Sequence, residues 1–566
     1  MEYKPENRIC QNCKKEFTIE PDDFGFYEKI KVPPPTFCPE CRYIRRLLDR
    51  NEYNLYKRKC DATGEDIISI YRADAPFPVY KQEYWKSDKF EATEYGRDFD
   101  FTRSFFEQYD ELRRVVPHLA MVNFNSVNSE YTNQSDDNKD CYMLVTSGLC
   151  DKCMYGSWCS QSFFCSDCYM VEKGQFCYEC INMTNCSNCR WCFNCSDCVD
   201  VYFSFDCRGC TNCFGCVGLR SKNNCWFNEQ LTREEYQKRI GNFFWDRKSI
   251  QEMNEKVNKF KLNYPFKYYQ GFQAQDSSGD YMQNTKRARM VFNCRDHQDT
   301  AYMQDAWGKT LDCRDCTEMS VTELCYEMQG VSRPHRSIAI RSSYVITDSY
   351  YCDMCSNIEN CLGCFGLRDK KYCILNKQYN KEEYFKLKEK IIEHMRKTGE
   401  WGEYFPAKYS PFAYNESMVQ DYFPLTREKA LQKGYNWYDR PDPNYSVTLN
   451  SKSIPKTIQE TRSDILDQVI QCKTQENEEE KKNNPLCTTA FRITSLELAL
   501  YQKLGIPIPE YCFPCRRTAR FKFRNPRKLW HRKCMKEGCQ NEFKTSYAPD
   551  RPEIVYCEKC YQAEVY

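Results

Sequence analysis

Cys186-Ser-Asn-Cys189-Arg-Trp-Cys192-Phe-Asn-Cys195-Ser-Asp-Cys198 sets five cysteines at a strict step of three. Eighteen of the forty cysteines lie between Cys141 and Cys225, each a multiple of three residues from every other. A longer step of nine also recurs, through Cys141, Cys150, Cys159, Cys168, Cys177, Cys186 and Cys195. The intervening residues are mostly Asn, Ser, Asp, Gly and aromatics, which disfavours a helix that would align cysteines at i,i+3. Strict alternation of two is missing, so strands must be very short and corners frequent. Stacked short turns, in which one position recurs coil after coil, meet both conditions and predict a β-solenoid-like lobe lined by cysteine.

The lobe is duplicated. Cys213-Phe-Gly-Cys216-Val-Gly-Leu-Arg220, Cys225, Asn228 and Tyr236 return 148 residues later as Cys361-Leu-Gly-Cys364-Phe-Gly-Leu-Arg368, Cys373, Asn376 and Tyr384. Under the same shift Cys165-Ser-Asp-Cys168 becomes Cys313-Arg-Asp-Cys316, and Cys177-Tyr-Glu becomes Cys325-Tyr-Glu. Each copy ends in a helix start, a capping box at Thr232-Arg-Glu-Glu235 and its near equivalent at Asn380. Cys159, Cys180, Cys186, Cys189, Cys192, Cys195 and Cys198 map to Trp307, Met328, Pro334, Ser337, Ile340, Ser343 and Ile346. Interior positions tolerate such replacement and metal ligands do not, so packed thiol rows lead over zinc–thiolate sites. Disulfides require an oxidising compartment, and the ferredoxin-like run lacks the spacing and proline of an iron–sulfur motif. Cys165, Cys168, Cys177, Cys207, Cys213, Cys216 and Cys225, with partners in both copies, are the ladder thiols most worth testing.

Different cysteine chemistry marks the two ends. Cys10-x2-Cys13 and Cys38-x2-Cys41 have the spacing of a closed four-thiolate zinc site. This module returns, shifted by 474 residues, where Cys13, Cys38 and Cys41 match Cys487, Cys512 and Cys515 but Cys10 meets Asn484. Cys472 is the candidate for the fourth ligand there. A second ribbon follows at Cys534, Cys539, Cys557 and Cys560, of which the N-terminal copy keeps only Cys60. The basic helix after Cys41 carries Arg42, Arg45, Arg46 and Arg50, with Arg58 beyond; the C-terminal counterpart carries Arg516, Arg517, Arg520, Arg524, Arg527, Lys528 and Arg532. Between Arg516 and Lys536 ten lysines and arginines meet no acid, and aromatics are interleaved. Such segments can grip nucleic acid, RNA above all, or serve as an ordinary solvated face.

Formal charge is only +2, which excludes any global electrostatic argument. No run of residues is apolar enough for a membrane span, and the first residues have no apolar core of a signal peptide, which predicts a reducing, cytoplasmic setting. The five histidines stand in no metal-ligand or triad spacing. Further helices are expected over Trp85–Pro117 and 427–433, and the charged stretch 475–485 reads as a linker.

At Cys38-Pro-Glu-Cys41-Arg42, Arg50-Asn51-Glu52, the Cys-Phe-Gly-Cys ladder and Pro549-Asp-Arg-Pro552-Glu553-Ile-Val-Tyr-Cys557, the chain resembles a family of large cysteine-rich proteins with terminal zinc ribbons, found in small-genome bacteria and large DNA viruses. The resemblance implies zinc and carries no activity onto any residue. The expected architecture is mainly β with flanking α: a zinc-ribbon module at 1–80, a helical connector at 81–130, solenoid lobes at 131–260 and 261–397, a connector and linker at 398–485 and a double zinc-ribbon module at 486–566. The expected function is a zinc-binding, non-catalytic scaffold that binds nucleic acid. A protein-interaction or particle-assembly scaffold is the rival, and a thiol- or metal-dependent enzyme is third.

Overall fold

The structure, a computed structural model, describes residues 3–169, 174–179, 181, 183–441 and 444–565; Cys180 falls outside them. Strands dominate the middle of the chain and helices the flanks.

From Asn123 to Trp226 the chain pairs with itself in parallel at a constant offset of twelve residues, as in Tyr142↔Met154, Met154↔Ser166 and Tyr178↔Arg190. The step of three therefore divides each twelve-residue circuit into four tripeptides. In each, the first residue makes the bridge, the second turns the corner and the third points inward. Asp140, Met143, Thr146, Leu149 and Lys152 all have φ between 49° and 57°. This left-handed region costs most residues energy and, glycine aside, costs Asn and Asp least, which accounts for their abundance at the corners. Corner side chains also stack twelve apart, as in Asn185 Nδ2 donating to Asp197 at 3.2 Å and Asn212 to Asn224 at 3.2 Å.

The inward cysteines are nearly all fully buried and form one continuous cluster. Their thiols donate to the carbonyl two residues back and to the one nine residues on, as Cys141 does to Lys139 at 3.2 Å and to Cys150 at 3.5 Å. The step of nine in the sequence thus has a hydrogen-bond counterpart. Serine serves in the same place: Ser147 Oγ donates to Val145 O at 2.8 Å and accepts the N–H of Cys159, twelve residues on, at 3.1 Å. A narrow interior that needs a small donor and acceptor at each inward position admits Cys and Ser.

The second ladder runs from Gly271 to Ile374 in one parallel sheet. Its offset is also twelve over most of its length, but eleven at Gly271↔Met282 and thirteen at His297↔Thr310. The extra residue corrects the correspondence between copies. Downstream of it the shift is 148; upstream it is 147, so that Tyr302 matches Tyr155 and Ala306, fully buried, matches Cys159. Trp307, expected to stand for Cys159, sits at a bridge position against Arg295. Met328, Ser337, Ile340 and Ile346 are interior, as the exchange of thiols for apolar and small residues predicts.

Both helix starts are as expected: Thr232 and Glu235 form a full capping box, and Asn380 accepts from Glu383 N. The first opens two helices, Arg233–Gly241 and Arg247–Phe260, the second a single one, Lys381–Lys397. Over 85–117 one long helix was expected. Instead Gln82–Lys86 and Phe105–Val115 are separate helices, and of the apolar stripe that the helical spacing sets out, Phe101, Phe105, Tyr109, Leu112 and Val116, all but the exposed Phe101 are buried. The helix at Arg427–Gln432 ends at Gly434 as its sequence predicts.

Candidate metal centres and the arginine helices

Three groups of four cysteines each bring their sulfurs within 4.8 Å of one another: Cys10/Cys13/Cys38/Cys41, Cys472/Cys487/Cys512/Cys515 and Cys534/Cys539/Cys557/Cys560. Four thiolates at ~2.3 Å from a tetrahedral ion stand ~3.8 Å apart. Cys13 and Cys38 are 3.7 Å apart, Cys472 and Cys515 3.8 Å, and Cys539 and Cys557 3.9 Å, so the sulfur cages fit such an ion. In the first two sites thiols are held toward their charged form: Cys41 falls to about 5, chiefly through its hydrogen bond with Cys38, Cys472 to about 7, chiefly through Cys487, and Cys512 is lowered too, chiefly through Cys472. The charge is the ligand form that a metal requires. Among the described residues the ladder cysteines form no such group.

The sites arise from the same local design. An antiparallel pair, Glu6–Ile9 with Glu16–Ile19, presents Cys10 and Cys13, and Cys38 opens the helix Pro39–Leu48. In the C-terminal copy Ile470–Gln471 pairs with Ala490–Phe491, and Cys512 opens the helix Phe513–Phe521. Cys472 takes the place of the missing Cys10 closely. Cys10 Sγ accepts the N–H of Cys38 at 3.3 Å, and Cys472 Sγ that of Cys512 at 3.3 Å. Asn484, which replaces Cys10 in the aligned sequence, donates to Cys515 at 3.2 Å, as Asn12 does to Cys41 at 3.4 Å. The stretch expected as a linker accordingly lies between the cage cysteines Cys472 and Cys487 and holds the helix Glu478–Asn483; Gln475 donates to Cys487 at 3.3 Å.

The basic residues expected on an outer, phosphate-binding face point inward. Arg42 pairs with Asp315 at 2.9 Å, Arg46 with Glu327 at 2.6 Å, Arg45 with Glu403 at 3.1 Å, and Arg50 with Glu52 and Glu318. In the C-terminal copy Arg516 and Arg520 share Asp167 at 3.0 and 2.8 Å, Arg517 pairs with Asp421 at 2.5 Å and Arg527 with Asp305 at 2.6 Å. Arg58 is held by Asp61 at 2.7 Å, and Arg532 donates to Ala548 O. Arg524 is stacked between aromatic rings, and only Lys528 of the twelve stands exposed. The local sequence shows the cations; for Arg42, Arg45, Arg46, Arg516, Arg520 and Arg527 the carboxylates lie hundreds of residues away, so both the solvated face and the phosphate-binding face yield to internal pairing.

These contacts cross the molecule. The N-terminal module docks on the second ladder and the C-terminal module on the first, through equivalent residues. Arg42 and Arg516 are 474 apart, and their partners Asp315 and Asp167 are 148 apart. Tyr27 meets Tyr326 edge-on at 5.5 Å, and their counterparts Tyr501 and Tyr178 meet at 5.6 Å. Tyr302 donates to Asp23 at 3.1 Å, as Tyr155 does to Glu497 at 2.9 Å. Asp167, Asp315 and Glu327 are all corner residues of their ladders, with φ from 54° to 56°. The Cys-x-Asp-Cys and Cys-Tyr-Glu repeats contained them, but among many corner acids nothing local singles them out.

The arrangement defines a protein with three closed tetracysteine centres, each beside a module docked on a cysteine- or aliphatic-lined ladder. Compared with protein-family models and with curated proteins, the sequence finds no match. No helix among the described residues is long and apolar enough to cross a membrane.

Proposed function

We propose that the protein is a zinc-stapled, non-catalytic scaffold, built of two β-solenoids clamped crosswise by zinc-ribbon modules. The observation that supports it most is the coupling of metal site to clamp. The ligands Cys38/Cys41 and Cys512/Cys515 each sit in the first turn of the helix that carries the buried arginines. An ion bound there fixes the helix start, and with it the approach of Arg42 and Arg516 to Asp315 and Asp167. Four-thiolate coordination leaves no open position for a substrate, which suits a staple and not a catalyst. Zinc is the metal of choice for such a donor set because it accepts a tetrahedron of thiolates without redox chemistry.

The test is elemental analysis followed by chelation of the full chain. About three zinc ions per chain are expected from the four-ligand rule. Their removal should expose 20–60 and 500–530 to protease. Unchanged proteolysis after complete metal loss would sink the reading.

Nucleic-acid binding, as expected from the basic segments, then depends on the exposed Lys57, Lys59, Lys522, Lys528 and Lys533 in place of the guanidinium groups. Charge reversal of these lysines should abolish RNA affinity and its salt dependence if that reading holds.

A further inference from the structure

A cleft of about 600 Å³ opens where the first metal module, the start of the second ladder and the C-terminal arginine segment meet. Its walls are aromatic, with Tyr43, Tyr169, Tyr302, Tyr422 and Phe521 among them. Arg524 lines it, its guanidinium carbon 3.6 Å from the ring centre of Tyr169 and 4.2 Å from that of Phe521.

Arg524 differs from its neighbours in one respect. Arg42, Arg45, Arg46, Arg50, Arg516, Arg517, Arg520 and Arg527 each have a carboxylate within 4.0 Å, and Arg524 has none among the described residues. Its Nη2 is buried without a hydrogen-bond partner. The counterpart Arg50 is neutralised by Glu52 and Glu318. The positions equivalent to those two acids hold Pro526 and Met170, the latter outside the described residues. A largely enclosed cation with no carboxylate within 4.0 Å among the described residues carries a desolvation cost that an anionic ligand would offset.

The rest of the cleft agrees. Lys15 and Lys528 stand exposed on its lining, while Asp421 is committed to Arg517 and Asp280 to Ser546 and Gln270 N. Glu16 and Glu40 are exposed. A pseudo-equivalent cleft on the other side places Tyr53 and Asn54 where Arg527 and Lys528 stand here, and Glu52 where Pro526 stands. Thus the unmatched cation belongs to one cleft of the pair.

We propose that this cleft binds a ring-bearing organic phosphate, a nucleotide either free or at the end of a single strand. The tyrosines supply stacking surfaces, and Arg524 with Lys528 supplies the charge for the phosphate. The inference does not rest on the scaffold reading, since the cleft needs only the packed fold.

Calorimetric titration of the metal-loaded full chain tests it, with adenosine monophosphate, adenosine, inorganic phosphate and a short 5′-phosphorylated RNA as probes. The monophosphate should bind, and adenosine and phosphate alone should each bind at least about tenfold more weakly, as expected when stacking and a charge-assisted contact act together. Arg524→Gln should weaken the monophosphate about tenfold with zinc content unchanged, the loss of one charge-assisted interaction. Lys528→Ala, on an exposed side chain, gives the same direction should Arg524→Gln fail to fold. An RNA that binds at least about tenfold tighter than the monophosphate identifies a strand end as the ligand, and equal affinities identify the free nucleotide. If neither monophosphate nor RNA binds at about millimolar concentration, or if both variants bind as the parent does, the proposal falls.

Discussion

At the C-terminal end, Cys534, Cys539, Cys557 and Cys560 converge on one point; at the N-terminal end, by hairpin register, the same four places are held by Cys60, Thr63, Lys81 and Tyr84. Around them the two modules are alike. Trp530–Lys533 pairs with Glu542–Thr545 as Tyr56–Lys59 pairs with Asp66–Ser69. Cys534 Sγ accepts the N–H of Cys557 at 3.3 Å, and Cys60 Sγ accepts that of Lys81 at 3.3 Å. Lys81 in turn is paired with Glu65. One fold therefore closes the same hairpin with a tetracysteine cage at one end and an ion pair at the other. The difference locates the indispensable site. The cage beside the arginine helix occurs at both ends, even where its first cysteine had to be supplied by Cys472, whereas the outer cage is replaceable.

The largest effect should follow from Cys512→Ala, in the inner cage. Structural zinc contributes about 10 kcal/mol or more to the folding of small modules. The expected outcome is a lost ion per chain and an unfolded C-terminal module, read by elemental analysis and proteolysis. Cys534→Ala, in the outer cage, should lose an ion but leave the arginine helix protected; equal exposure of that helix in both variants would erase the distinction.

Next come Asp167→Ala and Asp315→Ala. Each strands buried arginines, at a cost of about 3–5 kcal/mol. Denaturant melts of the two variants should show similar losses, because the crosswise contacts are equivalent. A large loss in one only would break the twofold comparison.

Smaller is the effect expected within the ladder. Cys192→Ser keeps the donor to Arg190 O, now at 3.3 Å, and changes mainly polarity and volume, at about 1–2 kcal/mol. Zinc content should not move. Loss of an ion would return the ladder to the metal-binding sites.

Smallest is Lys81→Met, on an exposed pair, where the melting midpoint should stay within error. The informative partner is the combined Thr63→Cys, Lys81→Cys and Tyr84→Cys variant. With Cys60 it rebuilds the outer cage and should raise zinc by one ion per chain. Unaltered zinc content would show that the N-terminal hairpin is not the equivalent that its hydrogen bonds indicate.

Much of the terminal sites was legible in residue order. Two Cys-x2-Cys pairs name their own four ligands, and the shift of 474 carries three of them to Cys487, Cys512 and Cys515. Cys472 was only one candidate, because a ligand from before a charged loop has no fixed spacing. The step of three declared an interior row, yet it did not disclose four sides per circuit. That number depends on where the corners close, and bridges twelve residues apart are long-range contacts. The extra residue near Trp307 was also hidden, since an ungapped comparison stays persuasive on either side of it.

Sequence by itself determined the duplication, the inward phase of the cysteines and the cage ligands, because each is a matter of spacing along the chain. Tertiary structure alone decided the fate of the arginines. Arg42 and Arg516 look like surface charge until Asp315 and Asp167 arrive from 273 and 349 residues away. These guanidinium groups go inward because carboxylates meet them there, and that meeting is made by the crossing of the two halves.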